Sequence, residues 1–298
     1  MNGDRKLRIF LTGSTSFLGT KFTDLYSGQF EILGVARGDA AHAVDLLDFN
    51  SLKKLYMDLH PDVVIHAAAD LGRDSNTAAK IVETNPTITR NLLTLARQNS
   101  AAFIFTSTEA VYGGKEEVGG YVEEDEYKPR SAYGQSKVLS EKAILESDLP
   151  CLITRGHRYI GVSTRFTKPK QFPDTIRSLM AGEIVHLDSK KLFKPVLLDS
   201  LCDVLVHYIL NNRSQKVLIN VGVDRATTYY ELVRQIALTA GIDTKLVQPD
   251  GEETGWPLNS TLSVERARGL GYPEIRWDGM LAKIREDLPL VPKSQLPE

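Results

Sequence analysis

The stretch that most limits the fold begins at Leu7. A short apolar run, Leu7 to Leu11, leads into Thr12-Gly13-Ser14-Thr15-Ser16-Phe17-Leu18-Gly19. A strand that passes through a Gly-rich turn into a helix opens a dinucleotide-binding βα unit. The unpaired backbone N–H groups at the start of that helix suit a pyrophosphate. The expected pattern is G-x-x-G-x-x-G, and here it reads Gly13, Ser16, Gly19. Serine at the middle position is small, and its hydroxyl can itself contact phosphate. The expectation is that Gly13, Ser16, Phe17, Leu18 and Gly19 hold a cofactor.

The segments that follow alternate between strand and helix. Glu31 to Ala36 reads as the second strand and ends at Arg37-Gly38. An acidic residue there would bind the ribose 2′-OH of NAD, whereas a basic one accommodates the 2′-phosphate of NADP. Arg37 therefore favours NADP(H) over NAD(H). Ser51 to Leu59 is helical, and Pro61 to Ala69 is a strand whose small residues Ala67, Ala68 and Ala69 leave room for a flat cofactor. His66 reads as a structural histidine beneath that site. Ala78 to Gln98 has helical periodicity, with Pro86 bending or breaking it. Ala101 to Thr106 is the next strand, Gly113 to Glu126 a loop, Ala132 to Leu145 a helix, and Pro150 to Arg155 a strand. The alternation persists to Gly161 and predicts an α/β fold, a doubly wound parallel sheet of Rossmann type. Residues 1–161, with returning segments at about 195–222, form the expected dinucleotide-binding domain. Residues 162–194 and 223–288 form a smaller substrate-binding lobe, and 289–298 a tail.

Composition excludes several classes. The chain has 298 residues, 42% hydrophobic and 25% charged, an ordinary soluble balance. A formal net charge of -2 and a pI near 6.3 give no electrostatic case for nucleic acid. No run approaches the ~18 apolar residues of a membrane span. The first residues form a polar lead without a small-residue cleavage site, so a cytoplasmic location is expected. Cys151 and Cys202 sit in apolar runs and read as buried thiols, not as a disulfide or metal pair. No Cys/His/Asp cluster has metal-ligand spacing, so no protein-bound metal is expected.

Chemistry points to Tyr133 and Lys137. Spacing i, i+4 on a helix puts both side chains on one face. An ammonium one turn from a phenol favours the phenolate and is expected to lower its pKa towards neutrality, as general acid–base work needs.

Taken together, Thr12 to Gly19, Asp45-Leu46, His66 to Ala69, Asn85, Ser107-Thr108, Tyr133/Lys137 and Arg155 resemble the extended short-chain dehydrogenase/reductase family, in family order. Thr108 and Tyr133 stand 25 residues apart, as the family's hydroxyl and tyrosine do. Within it, Ser107-Thr-Glu-Ala-Val-Tyr-Gly-Gly and Pro257-Leu-Asn259-Ser260-Thr-Leu262 look like motifs of the dTDP-4-dehydrorhamnose reductases. Trp256 stands where those reductases have arginine, and Arg158 where relatives often have Asn or Trp. The resemblance implies that Thr108 positions the substrate oxygen, Tyr133 acts as general acid/base, and Lys137 bonds the nicotinamide ribose. It adds Asp45, Leu46 and Asn85 to the cofactor set, and Glu109, Arg158, Asn259 and Ser260 to the substrate set.

The implied function is NADP(H)-dependent reduction of a 4-keto sugar nucleotide. Two alternatives stand beside it. One is an NAD-dependent nucleotide-sugar 4-epimerase. The other is a non-catalytic NADP-binding regulatory subunit, like that of methionine adenosyltransferase. A 4,6-dehydratase is disfavoured because Ala110 cannot take a proton. The expected pocket lies over the strand ends between Thr108, Tyr133 and the C-terminal segments, with Arg158, Arg165, Lys168, Lys170, Lys191 and Lys194 as phosphate partners. Relatives often dimerise through helices, so a homodimer is expected by analogy; neither nucleic acid nor membrane is an expected partner.

Overall fold

The computed structural model describes residues 5–38, 40–71, 79–113, 120–162, 171–250 and 259–288. The chain divides into two compact units. The first comprises Met1–Tyr112, Glu126–Arg155 and Cys202–Ile219, and the second Gly113–Asp125, Gly156–Leu201 and Asn220–Glu298.

The first unit is built on a sheet of β1 (Arg8–Thr12), β2 (Glu31–Ala36), β3 (His42–Ala43), β4 (Val63–His66), β5 (Ala102–Thr108) and the first half of β6 (Cys151–Ile160). Their order is β3-β2-β1-β4-β5-β6, and the pairings β2–β3, β1–β2, β1–β4 and β4–β5 are parallel. Order running outward on both sides of β1 is that of a doubly wound sheet, as the strand–helix alternation predicts. β1, β4 and β5 are nearly continuous apolar runs because helices cover both faces. Phe10, Val64, Phe103, Phe105 and Ile153 are fully or almost fully buried and pack with Tyr56 and Leu92 from the covering helices. Each such side chain stabilises the fold by about 1.5–3 kcal/mol relative to exposure.

The helices of this unit are α1 (Phe17–Tyr26), α2 (Phe49–Leu59), α3 (Ile81–Gln98) and α4 (Ala132–Glu146). Pro86 lies in the second turn of α3, which continues past it as one helix. A proline so near the start removes a single intrahelical bond, so of the two expectations, a bend or a break, the break does not occur. α3 and α4 pack through small polar residues: Asn85 Nδ2 donates to Ser136 Oγ at 3.1 Å, and Thr89 Oγ1 to Ser140 Oγ at 3.0 Å. Cys151 and Cys202 are buried and form no disulfide.

In the second unit the rest of β6 runs to Ile160, beyond the expected end at Arg155. It pairs in parallel with β8 (Pro195–Leu197), while β7 (Val185–Asp188) pairs with β9 (Val247–Asp250). Gly156 permits the continuation, since a Cβ there would press on Val196 and Val221. Tyr121 is tied to the late segment by its N–H to the Thr261 carbonyl (2.9 Å) and its carbonyl to the Ser263 N–H (2.7 Å).

Candidate active site

At the carboxyl end of β1 the chain turns at Gly13, with φ +68°. A Cβ at Gly13 would lie 2.9 Å from the Ala68 nitrogen, and one at Gly19 would collide with the Gly13 carbonyl. Only glycine lets the turn close so tightly at both positions. Ser16 caps α1, its hydroxyl oxygen accepting the Gly19 N–H at 3.1 Å. That oxygen therefore organises the helix start that presents the N–H groups of Phe17 and Leu18. Arg37 is exposed just past β2. Asp45 is exposed, and its side chain accepts the Leu47 N–H at 3.0 Å. Leu46 is buried in the core.

His66 is 2% exposed, with Thr12 Oγ1 2.9 Å from Nδ1 and Thr89 Oγ1 3.3 Å from Nε2. Burial, and then the nearby Lys137 ammonium, hold its pKa down to about 3, so the imidazole is neutral. It braces the strand ends. Thr12 Oγ1 also accepts the Ala68 N–H at 3.2 Å, which fixes the segment of small residues. Asn85 bonds Asp70 twice, accepting its N–H at 3.0 Å and donating to its carbonyl at 2.9 Å. With Ser136 as its third partner, the amide serves the protein scaffold.

The end of β5 meets the first turn of α4 for a local reason. Ser131 caps α4 by accepting the Gly134 N–H at 3.0 Å, and Gly134 has no space for a Cβ beside the Ala110 carbonyl. Tyr133 is thereby set close enough to Glu109 to feel its charge. Thr108 is 7% exposed; its hydroxyl donates to Glu109 Oε2 at 2.6 Å and accepts the Ala110 N–H at 3.2 Å.

Lys137 is 3% exposed. Its ammonium donates to the Thr106 carbonyl at 2.8 Å and lies 4.3 Å from the Phe105 ring centroid and 5.7 Å from that of Tyr133. Burial lowers its pKa to about 7, against the raising effect of Glu141. The expectation that Lys137 pulls the Tyr133 pKa down is corrected here. The phenol's pKa is pushed well up, first by burial and then by the Glu109 charge. The ammonium is directed at the Thr106 carbonyl and the Phe105 ring, and the tyrosine presents it a ring face. Tyr133 consequently stays protonated through neutral pH.

The remaining predicted residues lie in the second unit. Arg158 has a left-handed backbone, φ +49°, and its guanidinium sits over the rings of Phe193 (5.2 Å) and Tyr229 (4.7 Å). Asn259 Oδ1 accepts from both the N–H (3.0 Å) and the hydroxyl (2.7 Å) of Thr261. The Ser260 hydroxyl is buried without a hydrogen-bond partner. Lys191 and Lys194 are partly buried, and burial lowers the Lys194 pKa. Arg165, Lys168, Lys170 and Trp256 lie outside the described residues. Among the described residues there is no cluster able to hold a metal ion and no helix long and apolar enough to cross a membrane.

A family model, the RmlD substrate binding domain, matches residues 7–288. The chain belongs to this family. Methionine adenosyltransferase 2 subunit beta of Bos taurus is 29% identical over 154 residues, covering 50% of this chain and 46% of that protein. The dTDP-4-dehydrorhamnose reductase of Burkholderia thailandensis is 30% identical over 177 residues, covering 55% and 57%. The chain thus spans about half the length of these curated relatives in the matches. In structure, the dTDP-4-dehydrorhamnose reductase of Bacillus anthracis str. Ames, solved in complex with NADP, superposes with a TM-score of 0.81 at 20% identity. That superposition covers 95% of this chain and 100% of the other. This likeness establishes the Rossmann-type fold.

Sequence reasoning did not pick out Glu141, Tyr112 or Tyr127, which surround Arg155 beneath the candidate site. The available signal was Glu141 itself, four residues past Lys137 on the same helix face.

Proposed function

We propose that the protein is an NADP(H)-dependent reductase of a 4-keto sugar nucleotide, of the dTDP-4-dehydrorhamnose reductase kind. The observation that carries this reading is the grouping of Thr108, Tyr133 and a buried, carbonyl-bound Lys137 at the end of β5. A chain without chemistry to perform has no need to keep an ammonium out of water there.

The turn at Gly13 and Gly19 fits a dinucleotide, because its backbone comes so close to neighbouring chain that side chains are excluded. Gly13, Ser16, Phe17, Leu18 and Gly19 would hold the pyrophosphate, Arg37 the 2′-phosphate and Lys137 the nicotinamide ribose, with Ala67 to Ala69 beneath. NADPH, when bound, supplies the hydride. Tyr133 holds its proton at the phenolic oxygen through neutrality, so it begins as the donor that a carbonyl becoming an alcohol requires. Thr108 aligns the substrate oxygen. Within the second unit, Arg158 is the proposed partner of a substrate phosphate. Ala110 supports reduction over dehydration, since it cannot act as a base.

A second reading, a non-catalytic subunit that binds the cofactor, is supported by the likeness to methionine adenosyltransferase 2 subunit beta. One experiment separates them: oxidation of NADPH against a panel of 4-keto sugar nucleotides. The reductase reading expects turnover that falls by ~10²–10⁴-fold in Tyr133→Phe, with NADPH affinity within a few fold, and a preference for NADPH that Arg37→Asp reverses. NADPH binding without turnover across the panel would select the subunit reading.

A further inference from the structure

Under the candidate site lies a buried ionic cluster that the proposed reaction leaves unused. Glu141 and Arg155 are 0% and 1% exposed. Arg155 Nε donates to both carboxylate oxygens at 3.1 Å, and a terminal nitrogen donates to Oε2 at 2.6 Å. The Ser107 hydroxyl donates to Glu141 Oε1, and the Tyr127 hydroxyl to Oε2 at 2.9 Å. Arg155 also donates to the hydroxyls of Tyr112 and Tyr127. The cluster thus joins β5, α4 and β6 to the chain segments flanking residues 113–125.

Its placement suggests more than bracing. Ser107 directly precedes Thr108. Tyr133, Lys137 and Glu141 stand at successive i, i+4 positions along one face of α4. The Lys137 ammonium meets the Thr106 carbonyl and Phe105 ring from β5 and the Tyr133 ring on its own helix, and lies within electrostatic reach of neutral His66 from β4 and of Glu141 one turn on. Among these, Glu141 is the carboxylate. We propose that Glu141 is a positioning residue of the active site, setting a buried negative charge one helical turn from the Lys137 ammonium and, through Ser107, fixing the strand end that carries Thr108. The Ser107 part rests on the reductase reading above; the Lys137 part does not.

The test is the titration of Lys137 in ligand-free protein, followed by NMR with ¹³Cε-lysine and assigned with Lys137→Met. In Glu141→Gln the midpoint should fall by roughly one unit, the effect of losing a nearby opposite charge, a tenfold loss of the protonated form at higher pH. Leaving Arg155 without its carboxylate can unfold the single variant. The double variant Glu141→Gln/Arg155→Met removes both charges and should fold, because apolar replacement of a buried pair is often tolerated; a smaller fall of the same sign is expected there, since the opposing charge of Arg155, on the far side of the carboxylate, is lost as well. An unmoved midpoint in whichever variant folds overturns the proposal. If a reducible 4-keto substrate is found, Ser107→Ala should lower kcat roughly tenfold with KM and the Lys137 midpoint unchanged, as a misplaced Thr108 requires; an unchanged kcat overturns the Ser107 part. Absence of any substrate fails the reductase reading alone and leaves the titration result standing.

Discussion

Lys137 and Arg155 are both cations that the fold has taken out of water, at 3% and 1% exposure, and the protein treats them in opposite ways. Arg155 is bound to a carboxylate through three hydrogen bonds and to two phenols, and its pKa is raised as Glu141 outweighs desolvation. Lys137 has a backbone carbonyl, two ring faces and a carboxylate one helical turn off, and burial wins, bringing its pKa to about 7. A buried charge that only holds structure is neutralised by direct contact. One left under-compensated can respond when an anionic or hydroxyl-bearing ligand arrives.

The largest test breaks the satisfied cation. Arg155→Met strands Glu141 as a buried lone carboxylate and should cost about 3–5 kcal/mol of stability in denaturant unfolding. Lys137→Met should act with the opposite sign and raise stability at pH 7. The folded pKa of Lys137 lies below its unfolded value of 10.5, so the unfolded chain binds more protons between about pH 7 and 10.5. Wild-type stability should therefore climb with pH across that window at up to about 1.4 kcal/mol per pH unit, and Lys137→Met should lack that slope. Equal slopes in the two proteins would show that Lys137 is as comfortable as Arg155. The smallest effect sharpens the contrast: Tyr127→Phe removes one phenol from the cluster, leaves the ion pair in place, and should cost about 1–2 kcal/mol by the same unfolding assay.

The two sites also differ in how far the sequence reveals them. The Gly13 turn, the strand alternation and the Tyr133/Lys137 pair are local patterns, set by spacings of a few residues, and their backbone placement is as expected. Arg155 and Tyr112 are 43 residues apart, and Ser107 and Glu141 are 34 apart. No periodicity links them, and only the parallel crossovers bring them together. The direction of the Tyr133 shift was not legible either. Spacing places an ammonium one turn away, but it carries no information on where that ammonium points or how much water the phenol keeps. β6 passes Arg155 because that guanidinium is satisfied inside the protein, which a polar residue at the end of an apolar run does not announce.

Thr108 has one hydroxyl proton, and in this structure Glu109 already holds it. The backbone N–H of Ala110 takes one lone pair of the oxygen, so what the threonine offers to the site is the other. A ketone, which needs a donor, must compete with a carboxylate for that proton; an alcohol brings its own proton and meets a ready acceptor. Under the proposed reductase reading, a carbonyl and alcohol pair bound at this position would meet a resting geometry selective for the alcohol, one that tilts the bound equilibrium towards the reduced partner before any group on the protein moves.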